Sequence, residues 1–331
     1  MEVIFWIIII VAIVLFLFAL FIYQSVFGHR EEIKPGLKYF TNEELGVRKT
    51  PYSFISSDVT INGFIYEIEN NEPKGIIILV HGMGGGHINY MNEICYFAKL
   101  GYKVISYDNY GTMLSEGKNL KGFQQTLNDL RACILSVQSN LEFAGLKVIL
   151  YGHSWGGYAV SAVSNFKDIH VDGIISLSAF DSPSKILTSM VQQSIGKAMI
   201  ILYPFFRFVE LFKFGEEVNF TSLEGYKKCN CPLLLIHGEK DNLVPISIFR
   251  SFREELKEFD NIEFIELPTK YHRPNITDEG VTYDNWFNNE ASKIIKEKGN
   301  IKEFYEQANY DLLTRFDDRV MDRIENFIKK I

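Results

Sequence analysis

The chain opens with an apolar run from Val3 to Tyr23 that contains no charged residue. As a helix, these 21 residues would be about 31 Å long, which matches the hydrocarbon core of a bilayer at roughly 30 Å. A helix of a soluble domain would carry a polar face, and this run has none. We therefore predict a transmembrane helix over residues 3–23. The lack of a basic segment before it favours a retained signal anchor over a cleaved signal peptide.

The residues after this run change to a mixed pattern and then to alternation. Residues 24–50 combine charged, polar and glycine positions, and we expect them to form a juxtamembrane linker before a domain that covers 51–331. Apolar and polar residues alternate over 53–61 and 64–69 on either side of Asn62-Gly63. Because Asn-Gly is the strongest two-residue turn signal, the pattern predicts a hairpin centred there.

From Gly75 onward, short apolar runs alternate with longer segments of helical period. Strands buried on both faces have this near-continuous apolar character, and alternation with helices predicts a mostly parallel sheet covered by helices on both faces. The predicted strands are Gly75–Val80, Lys103–Tyr107, Lys147–Tyr151, Val171–Leu177, Pro232–Ile236 and Ile262–Leu267, and the predicted helices cover 88–100, 123–141 and 155–165.

Two stretches are too long for ordinary connections between strand and helix. Residues 179–231 separate two strands and are strongly apolar in the middle, which predicts a helical cap insertion over about 180–230. Residues 273–315 form a second insertion, which we expect to contain one or two helices beside the cap. An amphipathic helix over 316–331 closes the chain.

Charge and cysteine content indicate which partners, ligands and membrane orientation to expect. The net charge of the 331 residues is −7 and the basic residues are scattered, so we expect no nucleic-acid partner. Four cysteines do not form a disulfide framework, and Cys229 and Cys231 lack further ligands at zinc spacing, so we expect free thiols and no metal. Arg30, Lys34 and Lys38 follow the apolar run, whereas no basic residue precedes it. The positive-inside rule then predicts a single-pass protein with a cytoplasmic domain. We also expect a shortened chain that starts near Lys38 to be soluble and active.

The segment Gly152–Gly156 has the pattern G-x-S-x-G with Ser154 at its centre. It follows a predicted apolar strand and precedes a helical pattern, which is the context of a nucleophile on a sharp strand-to-helix turn. Glycines allow that turn, and the start of the helix supplies free N–H groups. Ser154 is therefore the candidate nucleophile.

A serine nucleophile needs a histidine base, which a carboxylate orients. In the chain order serine, acid, histidine, only His272 follows the acid candidate Asp241, which lies in His237-Gly238-Glu239-Lys240-Asp241. Both follow predicted strands at the carboxyl edge of the sheet, where such folds have their sites. Asp181 and Glu239 remain alternative acids.

Acyl transfer also requires donors for a negatively charged oxygen. His81-Gly82-Met83-Gly84-Gly85-Gly86 follows the first parallel strand and lacks the phosphate-binding patterns. The backbone N–H groups of Met83 and Trp155 are the candidates for an oxyanion hole.

These motifs, in this order, resemble the α/β-hydrolase superfamily near its monoglyceride-lipase, esterase and serine-aminopeptidase-like branches. The resemblance covers about residues 52–331. It implies an α/β-hydrolase fold with Ser154, Asp241 and His272 as the catalytic triad and Met83 and Trp155 as the oxyanion hole, without a cofactor. One departure is Asp108-Asn109-Tyr110-Gly111-Thr112-Met113-Leu114-Ser115, where many relatives have Asp-x-Arg-Gly-x-Gly-x-Ser.

The sequence thus predicts a membrane-anchored serine hydrolase that cleaves a carboxylic ester through an acyl-serine intermediate. An acyl ester or lipid-like small molecule would be the substrate, and the bilayer would hold residues 3–23. A peptidase or amidase of the same fold, and a catalytically inactive binding protein at the membrane, are the alternatives. The sequence does not indicate an oligomeric state.

Overall fold

A computed structural model describes residues 1–69 and 72–331 and contains one eight-stranded sheet. The strands are β1 Arg48–Ser56, β2 Val59–Glu67, β3 Ile76–Val80, β4 Lys103–Tyr107, β5 Val148–His153, β6 Gly173–Leu177, β7 Leu233–Gly238 and β8 Ile262–Leu267. Their order in the sheet is β1-β2-β4-β3-β5-β6-β7-β8. The first two strands pair antiparallel with each other, β2 pairs antiparallel with β4, and the other neighbours are parallel.

Helices cover both faces of this sheet. Along β3, Ile76, Ile78 and Val80 belong to one apolar cluster, whereas Ile77 and Leu79 belong to the other, because successive side chains of a strand point to opposite faces. The helices are α1 Glu2–Phe27, α2 Asn42–Leu45, α3 Met91–Lys99, α4 Gln125–Ser139, α5 Trp155–Ala162, α6 Pro183–Ile195, α7 Tyr203–Phe214, α8 Ser222–Lys228, α9 Ile246–Glu255, α10 Asp278–Lys296, α11 Ile301–Glu306, α12 Tyr310–Thr314 and α13 Asp318–Ile328.

The predicted hairpin exists, but its predicted turn is wrong. Ser57 and Asp58 form the turn, with φ angles of 48° and 64°, and Asn62-Gly63 lies inside β2, opposite Tyr52 and Ser53. Gly63 has a different purpose, because a Cβ there would lie 2.5 Å from the carbonyl oxygen of Ser106 in β4. The glycine allows β4 to approach β2 and does not form the turn.

The two insertions are helical. Between β6 and β7 the chain forms α6, the 3₁₀ turn Lys197–Leu202, α7 and α8. Between β8 and α13 it forms three helices, α10 to α12, so the expectation of one or two helices was wrong. Phe287, Ala291, Tyr305 and Leu313 give this second insertion its own small apolar cluster, which Leu37 also contacts.

The N-terminal segment is part of the folded body. Helix α1 is the helix that the described residues contain with the length and apolar character to cross a membrane, and it extends to Phe27. Tyr23 and Phe27 are buried in the main apolar cluster. Arg30 donates to the carbonyl oxygens of Met113 at 2.9 Å, of Ser115 at 3.0 Å and of Gly117. The prediction of a linker over residues 24–50 is wrong: residues 24–27 continue α1, residues 48–50 begin β1, and Leu37 and Val47 between them pack in apolar clusters of the domain.

Candidate active site

Ser154 lies on a sharp turn between β5 and α5. Its φ of 58° and ψ of −114° are a conformation that residues other than glycine rarely adopt. Neighbouring glycines allow the turn to be this tight, since a Cβ on Gly152 would lie 2.2 Å from the carbonyl oxygen of Gly156, and one on Gly156 would lie 2.0 Å from that of Val80. Backbone strain of this kind is found at functional sites, and it exposes the serine at the end of the strand.

Asp241 and His272 meet at the carboxyl ends of β7 and β8. The Nδ1 atom of His272 is 2.8 Å from Oδ2 of Asp241, whose other oxygen accepts from the N–H groups of Leu243 and Val244, each at 2.9 Å. His237 Nε2 lies 3.3 Å from Oδ2. Burial raises the pKa of Asp241, but the charges and hydrogen bonds of His272 and His237 outweigh this effect and hold the pKa well below its usual range. The acid is therefore an anion that can orient an imidazole.

A buried lysine organises the loop that carries His272. Lys270 places its Nζ 2.8 Å from Asp317 and 2.9 Å from Asp278, and donates to the carbonyl oxygen of Ile276. The carbonyl oxygen of Lys270 accepts from the N–H of Lys240 at 2.9 Å, which joins the histidine loop to the acid loop. Gly238 allows this close approach, because a Cβ there would lie 2.4 Å from the same carbonyl oxygen.

The other acid candidates have different partners. Asp181 accepts from the N–H of Leu223 at 3.2 Å and lies 3.4 Å from Lys185, so it holds the start of α8. Glu239 is bound to Arg250 at 3.0 Å.

The Sγ atoms of Cys229 and Cys231 are 2.8 Å apart as free thiols. Within residues 1–69 and 72–331, no group of three or more His, Cys, Asp or Glu side chains is arranged to hold a metal ion.

The glycine loop after β3 runs beside the nucleophile. Met83 and Trp155 both line the cavity that contains Ser154 and His272. Two other amides of this loop have partners, since Gly82 donates to the Tyr90 hydroxyl at 3.0 Å and Gly86 donates to Asn89 at 2.9 Å. Trp155 begins α5, and the first N–H groups of a helix have no acceptor within it. The oxyanion hole of Met83 and Trp155 stays a prediction, and both residues lie at the cavity that its location requires.

A chain of hydrogen bonds that the sequence did not predict connects this loop to His272. The Tyr90 hydroxyl is 2.8 Å from Nδ1 of His153, and Nε2 of His153 is 2.8 Å from the carbonyl oxygen of His272. Burial, together with the nearby His272, lowers the pKa of His153 to about 3. His153 is thus a neutral ring that holds the backbone of the histidine loop, and Tyr90 links it to Gly82.

One cavity of about 660 Å³ joins these groups. Its walls come from three further parts of the chain: the cap through Ile186 and Met190, the second insertion through Phe287 and Leu313, and the segment after α1 through residues 34 and 37–40. A second cavity of about 330 Å³, which Lys121 and Glu217 line, contains none of the predicted site residues. The large cavity has the size of a small-molecule site, and both apolar and polar side chains line it.

Known proteins resemble both the sequence and the fold. Residues 71–211 match the family model described as serine aminopeptidase, S33. An uncharacterised abhydrolase domain-containing protein of Dictyostelium discoideum is 28% identical over 136 residues, which are 40% of this chain but only 14% of that relative.

Solved structures extend the likeness to most of the chain. An esterase from Pyrococcus furiosus covers 81% of this chain and 98% of its own, with a TM-score of 0.58 at 18% identity. Est1E from Butyrivibrio proteoclasticus, solved with ferulic acid, covers 70% of this chain and 95% of its own, with a TM-score of 0.53 at 19% identity. The acylaminoacyl peptidase of Pyrococcus horikoshii covers 69% of this chain and 38% of its own, with a TM-score of 0.51 at 17% identity. The comparisons confirm the predicted fold and support a hydrolase.

Proposed function

We propose that this chain, which has the α/β-hydrolase fold, is a membrane-anchored serine hydrolase that cleaves a carboxylic ester by way of an acyl-serine intermediate. The observation that carries the proposal is the 2.8 Å contact between Asp241 Oδ2 and His272 Nδ1 at the rim of the cavity that also contains Ser154. A fold by itself does not specify an activity, but this set of side chains supports one.

Each group has a distinct role in the proposed reaction. Asp241 keeps the proton of His272 on Nδ1, so that Nε2 can take the proton of the Ser154 hydroxyl as its oxygen attacks the ester carbonyl. The N–H groups of Met83 and Trp155 stabilise the negative charge that forms on the carbonyl oxygen. His272 then protonates the leaving alcohol, and a water molecule that it deprotonates releases the acid from Ser154.

The cavity lining favours an acyl or lipid-like ester. Ile186, Met190, Phe287 and Leu313 contribute apolar surface along which an acyl chain can lie. Polar side chains of the same two insertions, among them Gln193, Asp284 and Asn288, also line the cavity. A peptidase or amidase is the second candidate, because the matching family model is that of a serine aminopeptidase and one similar structure is an acylaminoacyl peptidase.

Helix α1 is the proposed membrane anchor. The apolar side chains of its first half are exposed, for example Val3, Phe5 and Ile8. Exposed apolar surface of this extent is costly in water and stable in lipid. Arg30, Lys34 and Lys38 follow the helix closely, and basic residues next to a membrane span favour the cytoplasmic side for the domain.

A comparison of matched substrates would test the reaction. The full chain, purified in detergent, is given esters and the corresponding amides of the same acyl group, with Ser139→Ala as a control at an exposed serine. We expect ester hydrolysis that Ser154→Ala abolishes and Ser139→Ala leaves unchanged. Faster hydrolysis of the amides would favour the peptidase, and equal background rates in all three proteins would favour a binding protein without catalytic activity.

A further inference from the structure

Only the first half of α1 projects freely from the domain. From Leu15 onward, one stripe of the helix packs against the domain: Leu15, Phe16, Ala19, Leu20, Ile22, Tyr23, Val26 and Phe27. The spacing of three to four residues is that of one helix face. Residues 17, 18, 21, 24 and 25 on the other face are exposed. The apolar run that would cross the membrane is therefore partly in contact with protein.

The free part of α1 is too short to cross a bilayer. Residues 2–14 lie before the packed stripe, and at 1.5 Å per residue they extend about 20 Å. The hydrocarbon core of a bilayer is roughly 30 Å thick. If α1 spans it, about 10 Å of hydrocarbon must surround the part of the helix that contacts the domain.

Helix α7 of the cap runs beside this part of α1. The ring of Phe16 lies 5.8 Å from that of Phe208 and 6.5 Å from that of Phe205. Lys213, farther along α7, lies 5.3 Å from the ring of Tyr23. From Phe16 to Tyr23 the rise along α1 is about 10 Å. The start of α7 is therefore about 10 Å deeper along α1 than Lys213.

The exposed side of this cap segment is mostly apolar, with exposed lysines near its two ends, Lys197 and Lys213. We use the name cap face for Ile200, Ile201, Phe208, Leu211 and Phe212, which are all exposed, with Phe212 at 87%. Lys213 and Lys121 lie next to each other at the level of Tyr23, where Lys213 donates to the carbonyl oxygen of Lys121 at 3.2 Å. Apolar residues below and lysines above are the order expected at the boundary between acyl chains and headgroups.

We propose that the cap face is immersed among the acyl chains of the leaflet on the domain side, so that the bilayer holds the protein by two elements. The inference rests on the membrane anchoring proposed above. Lipid acyl chains are its occupant because the cap face is continuous with α1, whose apolar run ends at the same level as the two lysines. Helix α6 carries Met190 on the cavity wall and leads through Ile195 to the cap face. An ester lipid of that leaflet would thus be the nearest substrate.

Spin labels on single cysteines in proteoliposomes would test this immersion. The labels are attached to Ile200→Cys and, as a second position, Ile201→Cys, in the full chain with Cys231 changed to Ser, so that the native cysteines that remain are buried. Val11→Cys reports on the free part of α1, and Leu141→Cys is a matched apolar position with 90% exposure at the far end of α4. Collision with oxygen, which concentrates in lipid, is compared with collision with a water-soluble nickel chelate.

We expect oxygen to dominate at positions 11, 200 and 201, and the nickel chelate to dominate at 141. Lipid exposure at 11 with aqueous exposure at both 200 and 201 would overturn the immersed cap face while leaving the anchor intact. Aqueous exposure at 11 would overturn the anchor and, with it, this inference. The labels replace exposed side chains, so the measurement does not depend on a change in the core.

Discussion

His153 occupies the position before the candidate nucleophile, and its neighbours determine which of its nitrogens carries the proton. Its pKa of about 3 makes the ring neutral at ordinary pH. The carbonyl oxygen of His272 can only accept, so Nε2 of His153 donates and Nδ1 accepts from the Tyr90 hydroxyl. The oxygen of Tyr90 then accepts from Gly82. The hydrogen bonds therefore all donate in the same direction, from Gly82 of the glycine loop towards the carbonyl oxygen of His272.

We expect Tyr90→Phe to lower kcat about tenfold with little change in KM. The variant keeps the ring but removes one acceptor and one donor, and a buried hydrogen bond contributes about 1 kcal/mol or more. Steady-state kinetics would show the effect. Tyr96→Phe is the matched control, since the Tyr96 hydroxyl contacts Glu325 at 3.2 Å and lies outside the chain of bonds. Equal effects of the two changes would argue against the positioning role of Tyr90.

The two aspartates that follow neighbouring strands should differ strongly in their effect. Asp241→Asn removes the charge that orients His272, and we expect kcat to fall by about 10³ to 10⁴. Asp181→Asn should leave kcat nearly unchanged, because Asp181 bonds to Leu223 and Lys185. Kinetics on the two variants, with melting curves to verify folding, would decide. A larger loss with Asp181→Asn would refute the assignment of Asp241.

At the level of helices and strands, the sequence predicts what depends on local pattern. Strands such as Ile76–Val80 and Leu233–Gly238 are apolar because both of their faces are buried, and their runs were visible without a structure. The position of the hairpin turn was not visible in the same way, because Gly63 allows a close contact with β4, a strand that is distant in sequence. Ser57-Asp58 gives a weaker turn signal than Asn-Gly.

The candidate site also contains residues that local pattern indicates and residues that it does not. Ser154 lies in a local motif, and chain order selected His272 and Asp241. Tyr90, Lys270 and Arg273 contribute through partners far along the chain: Arg273, for example, donates to the carbonyl oxygen of Leu313 at 2.8 Å and lies 3.7 Å from Glu93. A single sequence gives no sign of such pairs. Neither motif nor period indicated them.

Within the cap, Glu210 should make stability depend on pH. Burial raises the pKa of its carboxyl from 4.5 to about 7, and one of its oxygens has no hydrogen-bond partner. The folded state then binds a proton more tightly than the unfolded state. Its contribution to stability is fully present below pH 4.5 and is lost as the pH rises through about 7.

Glu210→Gln should remove this contribution. We expect the melting temperature of the unmodified chain to fall between pH 5 and 8, and the variant to fall less over the same range, because a glutamine does not titrate. Thermal unfolding in detergent at several pH values would measure both slopes. Identical slopes would mean that Glu210 has the same pKa in the folded and unfolded chains.

At the scale of the whole molecule, the second half of helix α1 packs against the α/β domain. Phe27 packs against Phe123 with 4.9 Å between ring centroids, and Arg30 donates to the carbonyl oxygen of Met113 in the loop of residues 108–115. This structure argues against our expectation that a chain starting near Lys38 would be soluble and active. Such a chain would lack two buried aromatic side chains and the donors of Arg30.

Two truncations would separate the free and the packed parts of α1. Deleting residues 1–14 should change the melting temperature of the detergent-solubilised protein by only a few degrees. Deleting residues 1–37 should lower it by about 10 °C or more, because loss of a buried aromatic side chain costs about 3–5 kcal/mol. Calorimetry would compare the two shortened chains. Equal stability would show that the contacts of Tyr23 and Phe27 are weak.

The most direct test of the central claim is covalent labelling of the nucleophile. The full chain in lipid bilayers is treated with a fluorophosphonate probe, and the adduct is mapped by mass spectrometry. We predict a single adduct on Ser154, absent in Ser154→Ala and formed far more slowly in His272→Ala, because the probe reacts with a serine that a base has activated. A folded protein without the adduct, or equal labelling of Ser154→Ala, would contradict the proposal of a serine hydrolase.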